Sequence, residues 1–213
     1  MTHTNDPQPY HHGDLHNALL QAAEQLLAEQ GAASLSLRAV AKQAGVSHAA
    51  PYRHFRDKAA LLRALAQGGF ERLAGAIEVA AGNASQNPEQ KLVEAGVAYV
   101  RQAVERPALT RLMFGGCVAV EDDAAYRQAS TAAFEALQKI IEEGVAAGVF
   151  RARDPHELAL VAWTSMHGVA ILVTAGLLDR NAFGNRDIDE SGALDSAQCH
   201  LRALEIEQSR QVC

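Results

Sequence analysis

Residues 35–58 (LSLRAVAKQAGVSHAAPYRHFRDK) constrain the fold of this chain more than any other stretch. Ser36 is a good N-cap for a helix that runs to about residue 44, and Gly45 suits the left-handed residue that ends such a helix. Ser47 is placed to cap a further helix to about residue 55, and Asp57 to cap the helix after it. The stretch therefore predicts two short helices joined by a tight glycine turn and followed at once by a third.

The predicted pair of helices has an apolar side and an exposed side. Its apolar wedge consists of Val40, Ala41, Val46 and Phe55. The side chains left on the exposed side are His48, Ala49, Tyr52, Arg53 and His54. An exposed second helix supported by a first one is how a helix-turn-helix enters the major groove of DNA. We therefore predict DNA binding, and the alternative is an ordinary helical hairpin with solvated polar residues.

Helical signals continue on both sides of this stretch. Apolar residues at four-three-four spacing indicate a first helix from about Leu15 to Gly31, and Asp57 begins a long fourth helix. Asn87 and Asp154 each precede a proline, which is a typical helix start. Further helices are predicted to lie at about 107–114, 122–147 and 194–209. No stretch alternates with period two for long enough to demand a strand, so the predicted fold class is all-α.

A polar break at residues 82–87 is where we expect the domain boundary. It separates an N-terminal three-helix helix-turn-helix domain at residues 13–73, with the motif at about 36–55, from a larger α-helical domain at residues 86–209. At 213 residues the chain is long enough for one large domain or two modest ones.

The net charge of −6 is unusual for a DNA-binding chain, but the acidity is unevenly spread. Residues 1–72 hold seven Lys/Arg, six Asp/Glu and six His, whereas residues 73–213 hold twelve Lys/Arg and nineteen Asp/Glu. The N-terminal domain is thus only weakly basic. Because each neutralised phosphate contributes modestly, we expect two such domains to act together.

Residues 158–178 contain no Asp, Glu, Lys or Arg, and this length is about enough to span a bilayer. The segment also carries Thr, Ser, His and Gly, and the chain offers no second candidate. A helix that is apolar all round is equally expected to be buried in protein on every side. We favour a buried helix, with one face packed on a second subunit, over a membrane span.

At this point the sequence resembles a known family. Residues 35–58, with Leu61 and Leu62 after them, resemble the DNA-binding domain of the TetR family of transcriptional repressors. The Ala-Gly-Val-Ser turn, the Tyr-x-x-Phe pair and Lys58 occur together in register, and the likeness covers about residues 13–73. His11-His-Gly-Asp-Leu15 and Trp163-x-x-x-His167-Gly168 also resemble a subgroup whose C-terminal domain is named for Trp, His and Gly.

The resemblance implies a dimer whose paired N-terminal domains bind a palindromic operator in double-stranded DNA. It also implies release of that operator when a small molecule enters the C-terminal domain, which would be both the ligand-binding and the dimerisation domain. The uncharged helix is expected to pair with the last helix and with their symmetry mates in a four-helix interface. Coupling between the two domains is expected to pass through the fourth helix.

Carried over position by position, the resemblance implies a set of DNA-contacting residues: Ser36, Arg38, Ser47, His48, Ala49, Pro51, Tyr52, Arg53, His54 and Lys58. His48, Ala49 and Pro51 would face base edges, Arg53 would contact a base or a phosphate, and the others would touch phosphate. Ala49 or Pro51 is able to meet a thymine methyl group. The first turn of the predicted third helix lacks the Arg, Lys or Gln that would form a clear guanine-reading fork, so the operator sequence does not follow.

Trp163 and His167 lie one helical turn apart and share a face. They either pack in the core, with His167 bonded to a backbone carbonyl, or line a small-molecule pocket with apolar walls and few polar groups. The predicted lining is Tyr99, Met113, Phe114, Cys117, Phe134, Trp163 and His167. An apolar or aromatic effector is expected over a highly charged one.

Other chemistries have weak support in the sequence. Cys117, Cys199 and Cys213 share no metal-ligand spacing, and their odd number argues against a disulfide framework, which fits a reducing cytoplasm. His12 and His16 lack a third ligand, and a Cys117–His167 pair lacks an oxyanion hole. A redox role for Cys117 stays open. We predict no metal, no cofactor and no enzymatic activity.

The sequence therefore predicts a cytoplasmic, homodimeric repressor that a small-molecule effector releases from DNA, with no membrane partner. Sequence does not separate a repressor from an activator with the same DNA-binding domain. The main competitor in a different class is a helical small-molecule-binding protein or enzyme without a DNA role.

Overall fold

The computed structural model describes residues 12–84, 87–116, 123–175 and 177. Helices form throughout these ranges and no strand is present in them, so the predicted all-α class is confirmed. The chain divides into two compact units, residues 1–65 and 66–213. The predicted boundary at residues 82–87 coincides with the end of a long helix, whereas the units divide inside that helix.

Unit 1 contains α1 (His12–Ser34), α2 (Leu37–Gln43), a 3₁₀ turn (Pro51–Arg53) and the beginning of α3 (Lys58–Asn83). Gly31 interrupts α1 with a φ of 74°, a conformation that favours glycine, as predicted for the end of the first helix. Fully buried apolar side chains hold the unit together: Leu19, Ala23, Val40, Ala41 and Leu61.

Local hydrogen bonds fix both ends of α2. The Ser36 hydroxyl accepts the Ala39 N–H at 3.2 Å, as predicted for a helix cap. Gly45 has a φ of 68°, and the Val46 N–H then donates to the Ala41 carbonyl at 3.0 Å. This is the glycine-terminated helix end that the sequence predicts.

The predicted third helix is wrong in its extent. We expected an α-helix from Ser47 to about residue 55, but only Pro51–Arg53 is helical, and that turn is 3₁₀. The Ser47 carbonyl instead accepts the Ala50 N–H at 3.0 Å. Pro51 has no N–H to donate to that carbonyl, so the first α-helical hydrogen bond cannot form. Ser47 is therefore not the cap of an α-helix.

Unit 2 contains the rest of α3 and four further helices: α4 (Pro88–Glu105), α5 (Pro107–Phe114), α6 (Ala124–Ala146) and α7 (Pro155–Thr174). Asn87 and Asp154 cap α4 and α7 as predicted, and Asp123 caps α6. In this bundle α4 packs against α5, α6 and α7, and α6 packs against α7. The core includes Tyr99, Val100, Leu137 and Met166.

Within the part of the chain that the structure describes, helix α7, the predicted uncharged helix, has one buried face. Ala159, Ala162, Met166 and Ala170 are buried, while Leu160 and Val161 are each 50% exposed. The helix is long and apolar enough to cross a membrane, and 22% of its apolar 18-residue stretch is buried. The described residues of this unit therefore leave part of α7 exposed. The predicted last helix at 194–209 lies outside the described residues.

Candidate DNA-binding surface and effector site

The segment that follows α2 presents a row of exposed side chains. Ser47, His48, Ala49, Tyr52 and Arg53 are exposed, and Tyr52 stands out as a large aromatic ring at 55% exposure. Arg38 on α2 is also exposed. A protruding row of donors and one aromatic ring, held on a buried wedge, is able to contact phosphates and base edges.

Two predicted DNA contacts are placed differently from our expectation. Pro51 is buried, which does not fit a side chain that faces base edges. Lys58 donates from Nζ to the Ala33 carbonyl at 2.7 Å. An ammonium group carries three protons, so this bond leaves capacity for a phosphate oxygen.

His16 of α1 lies beside this segment, which the sequence did not reveal. Its ring is centred 5.6 Å from that of His54 and 5.1 Å from that of Phe55. Burial, and secondarily the proximity of His54, lowers the pKa of His16 below its ordinary value. From the sequence we consider His16 as a metal ligand with His12, and prefer to explain it as part of the N-terminal stretch that resembles the family. Among the described residues no group of three metal-ligating side chains converges.

The lowered pKa of His16 predicts that acid destabilises the protein. Below about pH 6.5 the unfolded chain binds a proton that the folded ring resists, so the free energy of unfolding should fall as the pH drops through this range. His16→Phe keeps a ring against Phe55 and removes the titration. Urea denaturation at pH 7.5 and 5.5 should show a smaller loss of stability for this variant than for the wild type. Equal losses would contradict the assignment.

In unit 2, five of the predicted effector residues meet in one aromatic cluster: Tyr99, Phe114, Phe134, Trp163 and His167. The Trp163 ring is centred 5.1 Å from Tyr99 and 5.7 Å from Phe134, in edge-to-face geometry. The rings of Phe114 and His167 are 4.5 Å apart. Tyr99 is buried, while the other four are partly exposed, so the cluster presents an accessible aromatic surface.

The cluster contains one polar pair. The Tyr99 hydroxyl and His167 Nδ1 lie 2.8 Å apart and share a hydrogen bond. Burial raises the pKa of Tyr99 and lowers the pKa of His167, so both groups are held neutral. His167 is therefore satisfied by a tyrosine hydroxyl rather than by the backbone carbonyl that we considered.

The remaining two predicted effector residues are not part of this cluster. Met113 is buried and faces α3, where its Sδ atom would meet any Cβ placed at Gly69. Consecutive residues of a helix point in different directions, so Met113 and its neighbour Phe114 lie on different sides of α5. Cys117 lies outside the described residues.

Comparisons with known proteins agree with this geometry. The family model described as bacterial regulatory proteins of the tetR family matches residues 19–65, and the tetracyclin repressor-like C-terminal domain matches residues 92–194. A solved protein of unknown function from Rhodococcus sp. RHA1 is 37% identical, covers 93% of this chain and 100% of its own, and superimposes with a TM-score of 0.79.

Other similarities are more distant. The TetR family transcriptional regulator PfmR from Thermus thermophilus is 22% identical over 88% of this chain and 97% of its own, with a TM-score of 0.66. The nucleoid occlusion factor SlmA of Aliivibrio fischeri is 34% identical over 111 residues, which are 49% of this chain and 54% of SlmA. The chain thus spans about half the length of the curated relatives it matches.

An N-terminal helix-turn-helix followed by a helical second unit is the architecture of a DNA-binding transcriptional regulator. The two family models together span more than two thirds of the sequence, and the chain belongs to the TetR family. The matched C-terminal domain is described as tetracyclin repressor-like, so the subgroup named for Trp, His and Gly stays a prediction.

Proposed function

We propose that this protein is a homodimeric repressor that a small-molecule effector releases from a palindromic operator. The observation that carries the proposal is the exposed row from Ser47 to Arg53, presented on a buried wedge in a chain of the TetR family. The remaining proposed DNA contacts are Ser36, Arg38, His54 and Lys58. The protein acts by binding in the cytoplasm and not by catalysis.

The exposed face of α7 supports the homodimer. Leu160 and Val161 place apolar surface in solvent on the side opposite the buried Ala159 and Ala162. Two large apolar side chains held in solvent on one side of an uncharged helix favour an interface at this face. Pairing of two copies through α7 would cover it with an identical face, as two-fold symmetry requires. A second copy on this face would also account for the lack of charged residues in α7, so no membrane is needed to explain it.

The partly exposed aromatic cluster supports an apolar or aromatic effector. Its rings offer a large apolar contact area, and the Tyr99–His167 pair offers a single polar contact, which is the balance that small-molecule sites show. An effector bound there would favour a dimer whose two N-terminal units no longer match successive major grooves, about 34–36 Å apart.

DNA binding is tested by fluorescence anisotropy with labelled duplexes from the DNA that flanks the gene, at low and moderate salt. The proposal expects saturable binding to one duplex that contains an inverted repeat, with two chains per site by sedimentation. Binding that is equally tight to every duplex, or a protein that stays monomeric on the DNA, would contradict it. A reporter placed downstream of the operator separates repression from activation.

The effector site is tested with that reporter and neutral aromatic compounds such as naphthalene and indole. A compound that relieves repression should need a roughly tenfold higher concentration in a Trp163→Leu variant, because the variant loses the central ring of the cluster. Repression itself should persist without the compound. Arg111→Gln, an exposed change on α5, is the control. An unchanged dose response in Trp163→Leu would place the effector elsewhere.

A further inference from the structure

Unit 2 has an open cleft of about 820 Å³ between α3 and α4, away from the aromatic cluster. This volume falls within the range of small-molecule sites. The cleft exists because both helices turn small residues toward it: Ala76 and Ala80 from α3, and Ala98 from α4. Ala76 and Ala80 lie one helical turn apart on the same side of α3, and together with Ala98 they form what we call the alanine floor.

The charges that line this cleft are divided between its two ends. The helices run antiparallel, since Gln102 near the end of α4 donates to the Gly69 carbonyl of α3 at 3.1 Å. Arg72 of α3 therefore lies at the same end as Arg101 and Arg106. Three guanidinium groups and one carboxylate, Glu105, line this end. The cleft thus has a net cationic end, which we call the arginine end.

The opposite end of the cleft carries no cation among its described lining residues. Its polar lining consists of Asn83, Gln90 and Glu94, and the Gln90 amide donates to the Glu94 carboxylate at 2.7 Å. The two ends are about 17 Å apart, from the helical rise between residues 72 and 83. An occupant of this cleft therefore meets cations at one end and an apolar floor along its length.

Arg101 is the cation best placed to receive an anion. It is exposed and forms no hydrogen bond or ion pair with another of the described residues, whereas Arg72 and Arg106 already make interactions. Guanidinium groups bind carboxylates through paired, charge-assisted hydrogen bonds. Neighbouring arginines add favourable charge without needing to contact the anion directly.

We propose that this cleft binds an amphipathic organic acid, with its carboxylate at the arginine end and its apolar body along the alanine floor. The site is separate from the aromatic cluster, so its occupant and the proposed effector are able to bind at the same time. Binding in the cleft does not require binding at the aromatic cluster, so an experiment that contradicts one proposal leaves the other standing.

Isothermal titration of the full-length protein with decanoate, below its micelle concentration, tests the proposal. Saturable binding is expected, and decanol and decyltrimethylammonium should bind more weakly. Arg101→Gln should weaken decanoate binding about fivefold, a modest figure because the charge is partly hydrated. Arg111→Gln, which removes an exposed arginine outside the cleft, should leave it unchanged.

Two further variants test whether the ligand occupies the cleft and no other surface. Ala98→Phe should block binding by filling the floor, with circular dichroism to verify folding, while Trp163→Leu should leave decanoate binding intact. Equal affinity of the wild type and Arg101→Gln for decanoate would overturn the proposal, as would tighter binding of the ammonium compound. Loss of binding in Trp163→Leu would also overturn it, by moving the ligand to the aromatic cluster.

Discussion

Tyr52→Ala combined with Arg53→Ala is expected to lower operator affinity by about 100-fold or more, because each contact is worth roughly 1–3 kcal/mol and occurs twice in a dimer. Tyr52 is 55% exposed and Arg53 is exposed, so neither side chain supports the core. The free energy of unfolding and the oligomeric state should both stay unchanged. Anisotropy titrations at one fixed salt concentration measure the effect.

Matched variants make this prediction specific. Tyr52→Phe keeps the ring and removes only the hydroxyl group, so it should lose less affinity than Tyr52→Ala. Arg111→Ala removes an equally exposed arginine from unit 2 and should leave the affinity unchanged. If the double variant binds the operator like the wild type, the exposed row is not the DNA-binding surface, whatever else the protein binds.

Gly144→Ala is expected to destabilise the protein by about 2 kcal/mol, although alanine normally stabilises a helix. A Cβ at this position would overlap the ring of Phe150, which is buried against α6. The Phe150 N–H also donates to the Gly144 carbonyl at 3.1 Å, so the backbone of Phe150 is held close to Gly144. Urea denaturation followed by circular dichroism measures the loss.

Gly75→Ala is the control for this substitution. Gly75 lies inside α3, and a Cβ there would meet nothing within 4 Å, so the change should stabilise the protein by about 0.5–1 kcal/mol. Phe150→Leu should partly rescue Gly144→Ala, because it removes the clashing Cε2 atom and leaves a smaller side chain whose Cδ atoms are able to rotate away. Destabilisation of similar size in Gly75→Ala and Gly144→Ala would show that the clash is not the cause.

Local interactions were the predictable part of this fold. Ser36, Asn87 and Asp154 act as caps through bonds to residues two or three positions away, so their sequence neighbourhood contains the whole interaction. Gly45 was predictable for the same reason. The prediction of a third α-helix was wrong because its sequence pattern is helical but Pro51 cannot donate the first α-helical hydrogen bond.

Features that depend on two distant helices were less predictable. We predicted from the sequence that Tyr99 and Trp163 line the same site, and their rings are indeed in contact. The arginine end of the cleft could not be foreseen, because nothing in the sequence tells which face of α3 opposes α4. The burial of α7 on one face only was also hidden, since an uncharged helix has the same sequence pattern whether its second face is covered by its own chain or by another.

The exposed apolar face of α7 has a consequence for how the regulator is made. On the proposed pairing, a newly synthesised chain carries Leu160 and Val161 uncovered until it meets a second chain. Such surface favours non-specific aggregation while it stays open. Cells that make very little of this protein would therefore gain from translating several copies near one another, so that partners meet before this face attaches to anything else.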